Sequence, residues 1–185
     1  MNIYDPYPDR VEANGRVYRL DLAYDRVLRC IDVEDEPGLT SADKRVIQCA
    51  WLLADENDIP ESIQEQTELL KAVFDLLPKG DEKHSGEKSI DFHQDAAMIR
   101  SAFFRIGVDL TRDKIHFLQF CELLADLPQD TALMRTVEIR QRPFPKPTKE
   151  NAEQIAALRK AKERVASRMS DEERRARFME ALKHN

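Results

Sequence analysis

Residues 89–140, SIDFHQDAAMIRSAFFRIGVDLTRDKIHFLQFCELLADLPQDTALMRTVEIR, decide the fold class. The stretch reads as three consecutive helices with short breaks between them. Phe92, Ala96, Ile99, Phe103 and Ile106 recur at intervals of four, three, four and three, which aligns them on one stripe of a helix. Asp91 is placed to cap that helix by accepting from the open N–H groups of its first turn, with Gln94 three residues on as in a capping box. Gly107 stands where a left-handed residue would stop it. Thr111 is the expected cap of the second helix, in which Phe117, Phe120, Cys121 and Leu124 share a face. Ile115, Leu118 and Leu123 flank that face, so the helix is apolar around much of its circumference and should lie between others. Leu127-Pro128 ends it. Asp130 or Thr131 opens the third helix, with Leu133, Met134 and Val137 inward, and Pro143, Pro145 and Pro147 prevent its extension beyond Arg142.

Towards the N-terminus, Asn14-Gly15 separates two short apolar-alternating runs. Both residues tolerate the positive φ of a type I′ turn, which predicts a hairpin from about Arg10 to Leu20 that must pack on helices to persist. Asp21 is the expected cap of a helix over Leu22–Val33, with Ala23 or Tyr24, Val27, Leu28 and Ile31 inside. Thr40 or Ser41 opens the next, with a stripe of Val46, Ile47, Ala50, Trp51 and Ala54. Asp58 and Ile59-Pro60 then begin a helix to about Leu77, using Ile63, Leu70, Val73, Phe74 and Leu77, with the proline in its first turn. Lys79–Ser89 is polar, carries two glycines and reads as a loop.

Towards the C-terminus, QRPFPKPT at 141–148 reads as an extended proline-rich linker. Ile155, Leu158 and Val165 make a thin stripe in the charged segment that follows. Ser170-Asp171-Glu172-Glu173 then resembles a cap opening a last helix with Phe178, Met179 and Leu182. That helix is too small to stand alone and has to dock on the body, on another copy or on a partner. The sequence therefore predicts an all-α fold. It comprises a compact multi-helix body at 1–142 with a small N-terminal β-hairpin, a linker at 143–148, and a charged helical C-terminal arm at 149–185.

Composition narrows the function. The chain of 185 residues carries a net charge of −6, and an acidic protein is repelled by the phosphates of nucleic acid. Residues 149–185 hold ten Lys and Arg against seven Asp and Glu, a net of +3, which leaves −9 on the rest. A basic arm on an acidic body suggests an interaction arm, or simply a solvated helix laced with ion pairs. Five glycines form no phosphate-binding loop. Among His84, His93, His116 and His184 no two are spaced i, i+4 as a helical metal site needs, and His116 is best read as packing or hydrogen bonding. No activated nucleophile is visible, and the paired acids sit at helix ends. No catalytic, metal-binding or cofactor-binding residue is therefore assigned. Cys30, Cys49 and Cys121 read as reduced thiols. The opening MNIYDPYPDR lacks an apolar core, and no apolar run approaches the ~18 residues of a membrane span. A soluble protein of the cytosol, with neither nucleic-acid nor membrane contacts, is the expectation.

The runs DAAMIRSAFF, GVDL, IHFLQFCELLADLP, DT and IR, in that order, resemble the phage gene-product-fifteen family of tailed-phage proteins. Where this chain has His116-Phe117-Leu118, members often carry His-Trp-Trp, so the apolar character is kept without the indoles. The resemblance covers about the first 145 residues. It implies a non-enzymatic tail assembly chaperone of siphovirus type that acts in the host cytoplasm. Such a protein coats the tape-measure protein, recruits tail-tube subunits and works in many copies, as a homo-oligomer. The alternative is a structural adaptor or tail completion protein that stays in the virion. Trp51, Phe117, Phe178 and Leu182 are the candidate partner-binding residues, although core packing is the competing role for Trp51. Phe103 lies mid-stripe, so Phe103→Ala should cost ~3–5 kcal/mol in chemical denaturation, and a loss under ~1 kcal/mol would put that ring on the surface.

Overall fold

The computed structural model describes residues 4–77, 90–148 and 151–166. The expected loop at Lys79–Ser89 and the expected last helix from Ser170 lie outside the described residues. The fold is helical with one small hairpin, as the sequence predicts. A two-stranded antiparallel hairpin, β1 (Arg10–Ala13) and β2 (Arg16–Arg19), precedes seven α-helices among the described residues. These are α1 (Tyr24–Asp32), α2 (Ser41–Leu52), α3 (Ile63–Leu76), α4 (Ala96–Arg105), α5 (Phe117–Ala125), α6 (Ala132–Gln141) and α7 (Ala152–Val165). The chain forms two compact units. The first joins Met1–Asp81 to Lys114–Leu123, and the second joins Glu82–Asp113 to Leu124–Asn185. The residues expected as one body are thus shared between two units, and α7, the described part of the arm, falls in the same unit as α6.

In the first unit the hairpin turns at Asn14 and Gly15, whose φ values of 54° and 70° are those of a type I′ turn. Val11, Tyr18 and Leu20 from the hairpin meet Val27 and Cys30 of α1, Leu52 of α2 and Leu69 and Val73 of α3 in one apolar cluster. Each large aliphatic chain taken out of water there contributes ~1.5–3 kcal/mol. The helix starts and faces differ from expectation in several places. Asp21 does not cap α1; the helix begins after Ala23 without a side-chain cap, and Asp21 Oδ1 accepts from the Ala23 N–H at 3.3 Å. Cys30, not Ile31, completes the inner face, and Ile31 is exposed.

In α2 the inner face is Gln48, Cys49 and Leu52, turned from the expected stripe, with Val46 exposed and Ala54 beyond the helix end. The reason is that Gln48 is satisfied inside. Its Nε2 donates to the Cys30 carbonyl at 3.3 Å and to the Glu34 carboxylate at 3.0 Å, and Arg45 donates to its Oε1. That amide contact, with Arg45 beside it, holds the Glu34 carboxyl below its usual range. Thr40 caps α2 in a full capping box with Asp43. Helix α3 starts at Ile63 rather than near Pro60, because Ser62 accepts from the Glu65 N–H at 3.2 Å. The Pro60 carbonyl instead accepts from Gln66 Nε2, and Ile63 and Phe74 face outward while Gln66 and Leu69 face inward.

In the second unit Asp91 accepts from the His93 and Gln94 N–H groups, but these belong to a turn ahead of α4, which begins only at Ala96. Ile99, Ala102 and Phe103 are buried, whereas Phe92 and Ile106 at the ends of the expected stripe are exposed. Helix α4 closes as Gly107 predicts. Gly107 has φ 86°, its N–H bonds to the Phe104 carbonyl and the Val108 N–H to that of Phe103, which is a Schellman motif. Thr111 does not begin α5. Its N–H donates to Asp109 in a separate turn, six residues before the helix starts at Phe117. Thr131 caps α6 by accepting from the Met134 N–H, and the helix ends at Gln141.

The second unit is held by a buried ion pair. Asp95 is 0% and Arg140 4% exposed, and two guanidinium nitrogens donate to the two carboxylate oxygens at 2.5 and 2.9 Å. Asp95 also accepts from the Asp91 N–H at 2.9 Å, and Arg140 Nε donates to the Val165 carbonyl at 2.6 Å at the end of α7. One guanidinium therefore ties α6 to α4 and to α7 at once. Truncating Arg140 leaves a buried carboxylate alone. Arg140→Ala should cost ~3–5 kcal/mol by urea denaturation, and Asp95→Leu/Arg140→Met together should cost much less than the sum of the single changes. Additive losses would show that the two side chains do not act as a pair.

Candidate partner-binding groove

Residues 4–9 precede the hairpin and run across α5 within the first unit. The Tyr7 ring stacks on the His116 imidazole, with centroids 4.8 Å apart and planes 7° from parallel. The Tyr7 hydroxyl donates to the Glu122 carboxylate at 2.6 Å, which raises the phenol pKa. His116 lies just before α5 and acts at both nitrogens. Its Nδ1 accepts from the Leu118 N–H at 3.1 Å, so Nε2 carries the proton and faces the Pro8 carbonyl at 3.2 Å. The imidazole thus caps α5 and pins the N-terminal strap. The backbone around it is fixed from the other side. Tyr24 N–H donates to the Ile115 carbonyl and Phe117 N–H to that of Leu22, a short antiparallel pairing about Ala23 and His116. Tyr24 then stacks on buried Phe120 at 5.0 Å.

This arrangement leaves a groove. Pro6 and Pro8 of the strap, Leu76 and Leu77 at the end of α3, and Leu118 and Cys121 of α5 line about 500 Å³ of open space, with Glu122 the one charged lining residue. Six of the seven lining residues are apolar, which suits a greasy side chain from another segment and offers no reactive pair. Among the described residues no group of three His, Cys, Asp or Glu is placed to hold a metal. Burial pushes the Cys30 thiol up to about 12 and the Cys49 thiol up to about 11, so both stay protonated and inert; burial also raises Cys121.

The four sequence candidates fall in different places. Phe117 packs partly buried against the core cluster of the first unit, 6.3 Å from Phe120. Trp51 also packs partly buried against that cluster, with the Arg26 and Arg29 guanidinium carbons 5.6 and 5.3 Å from its ring centroid. Arg26 reaches further, donating to the carbonyls of Ala50, Trp51 and Leu53 at the end of α2. Phe178 and Leu182 lie outside the described residues. Neither Trp51 nor Phe117 lines the groove. The strap residues Tyr7 and Pro8 were missed by sequence reasoning. An aromatic between two prolines, ahead of a hairpin that needed a packing partner, was the available signal.

The family model described as Bacteriophage Gp15 protein matches residues 3–166. No curated protein and no solved structure matches the chain. Among the described residues no helix is long and apolar enough to cross a membrane.

Burial is the first cause that lowers the His116 pKa, with the Pro8 carbonyl opposing it. The folded state then binds fewer protons than the unfolded chain as pH falls below the ordinary imidazole value of 6.5. Stability is full above that value and declines as pH drops towards the folded pKa. Urea denaturation at pH 7.5 and 5.5 should show this decline, and His116→Gln should flatten it. An unchanged slope in the variant would remove His116 as its source.

Proposed function

The chain belongs to the bacteriophage Gp15 protein family, and on that premise we propose that this phage structural or assembly protein is a tail assembly chaperone. It binds the tape-measure protein and helps recruit tail-tube subunits in the host cytoplasm, without making or breaking a covalent bond. The apolar groove of the first unit carries the reading. A tape measure is a long helical chain whose apolar stripes aggregate if left in water. A helical body with an open apolar groove covers such a stripe by taking one face of the helix at a time. A single groove of this size binds weakly, and many copies along one client, associating with one another, raise the avidity. The net charge of −6 keeps coated complexes apart by mutual repulsion.

Co-expression of the tagged chain with fragments of the tape-measure protein is the direct test. A fragment should co-purify, and Leu118→Asp should reduce its recovery while far-ultraviolet circular dichroism stays helical. The chain should also be missing from finished, purified particles. Retention in those particles as a stoichiometric component would favour an adaptor or tail completion role instead.

A further inference from the structure

We infer that α7 is exchanged between copies of the chain: the site on α6 that holds it within one chain takes the α7 of a second copy, and so joins the two. The inference rests on the part of the preceding reading in which many copies associate, and it supplies the contact for that association.

Every group concerned belongs to the second unit. Helix α7 lies on α6 without burying any residue of its own. Its inward side is Ile155, Leu158, Ala161, Lys162 and Val165, all half-buried, so releasing it opens no closed core. Its end is held through main-chain groups. Arg140 Nε donates to the Val165 carbonyl at 2.6 Å, and Gln94 Nε2 donates to the Ala166 carbonyl at 3.0 Å. Carbonyls at the end of a helix have no partner inside it and take one from outside. In return Lys162 donates to the Arg140 carbonyl at 2.6 Å. A second copy offers the same side chains in the same places, so exchange remakes every contact that it breaks. The connection permits this. Ten residues, 142–151, separate α6 from α7. Ten residues reach roughly 33 Å, against about 21 Å for the length of a 14-residue helix, so the linker can lead α7 away from α6 as well as back over it. Pro143, Pro145 and Pro147 favour an extended linker, and residues 142–148 are exposed, so little burial is lost when it swings out. What decides between the two dockings is concentration. A short tether holds α7 at an effective concentration on the order of 1 mM, and copies crowded along one client compete with that tether.

The test uses the full chain carrying Gln94→Cys and Ala166→Cys, a short bismaleimide to join the two positions, and peptide mass spectrometry to identify what is joined. Chains with natural and with heavy nitrogen are mixed in equal amounts. A link between positions 94 and 166 of two chains is then told from a link within one chain by its mixed isotope mass. Links within a chain should dominate at about 10 µM, and the ratio of links between chains to links within a chain should rise about hundredfold by about 1 mM, to near one. Links from position 94 to Cys121 of another chain measure chance collision, because Cys121 is partly exposed, and should stay rare. Adding Ile155→Asp/Leu158→Asp should remove the rise. The inference is overturned if the link stays within one chain at every concentration, or if links to Cys121 of another chain rise in step with those between positions 94 and 166. No client is present, so either failure leaves the client reading standing.

Discussion

The first unit depends on a small piece of backbone pairing, Leu22–Tyr24 against Ile115–Phe117. Its two hydrogen bonds contribute only ~0.5–1.5 kcal/mol each, less than the entropy of closing a loop of some 90 residues would suggest is enough. The pairing holds because it is backed by burial. Tyr24 stacks on Phe120, and Phe117 and Leu118 pack against the core cluster. Once α5 is seated, His116 has both of its partners, the strap has a surface to cross, and the groove has its third wall. The groove is therefore a product of long-range closure, not of any local motif.

The second unit is organised by a different kind of constraint. Asp95 and Arg140 are out of water, and their attraction must offset the cost of removing both charges from solvent. The arrangement succeeds through the extra hydrogen bonds around it. The Asp91 N–H satisfies the carboxylate further, the Val165 carbonyl takes the guanidinium Nε, and Lys162 donates to the Arg140 carbonyl at 2.6 Å. Helix α7 has no buried residue of its own. Its polar contacts include these bonds to Arg140 of α6 and Lys162 over the ring of Phe144, just past that helix. Ile155, Leu158 and Val165, the thin stripe of the sequence, are half-buried beside these polar contacts.

Features that depend on two or three neighbouring residues were legible in the sequence. The Asn14-Gly15 turn, the Thr40 and Thr131 caps and the Gly107 stop are all local chemistry, and each is in place. Asp21, Asp91 and Thr111 have the same local chemistry, yet it serves turns ahead of the helices, because where the helix starts is set by contacts far away in sequence. The faces of α1 and α2 were misread for a related reason. Ranking aliphatic residues first put Ile31 and Val46 inside, whereas Cys30, Cys49 and a fully hydrogen-bonded Gln48 fill those places. The groove left less trace still. Its walls come from three separated segments, and no periodicity within one segment announces it.

Trp51 is the chain's single indole, and it sits in the first unit under two guanidinium groups. Its emission therefore reports melting of that half of the molecule only. The half built on Asp95 and Arg140 contributes helix signal but no tryptophan light. Fluorescence and circular dichroism followed together can thus resolve the two halves as separate transitions without any introduced dye, if they come apart at different denaturant concentrations.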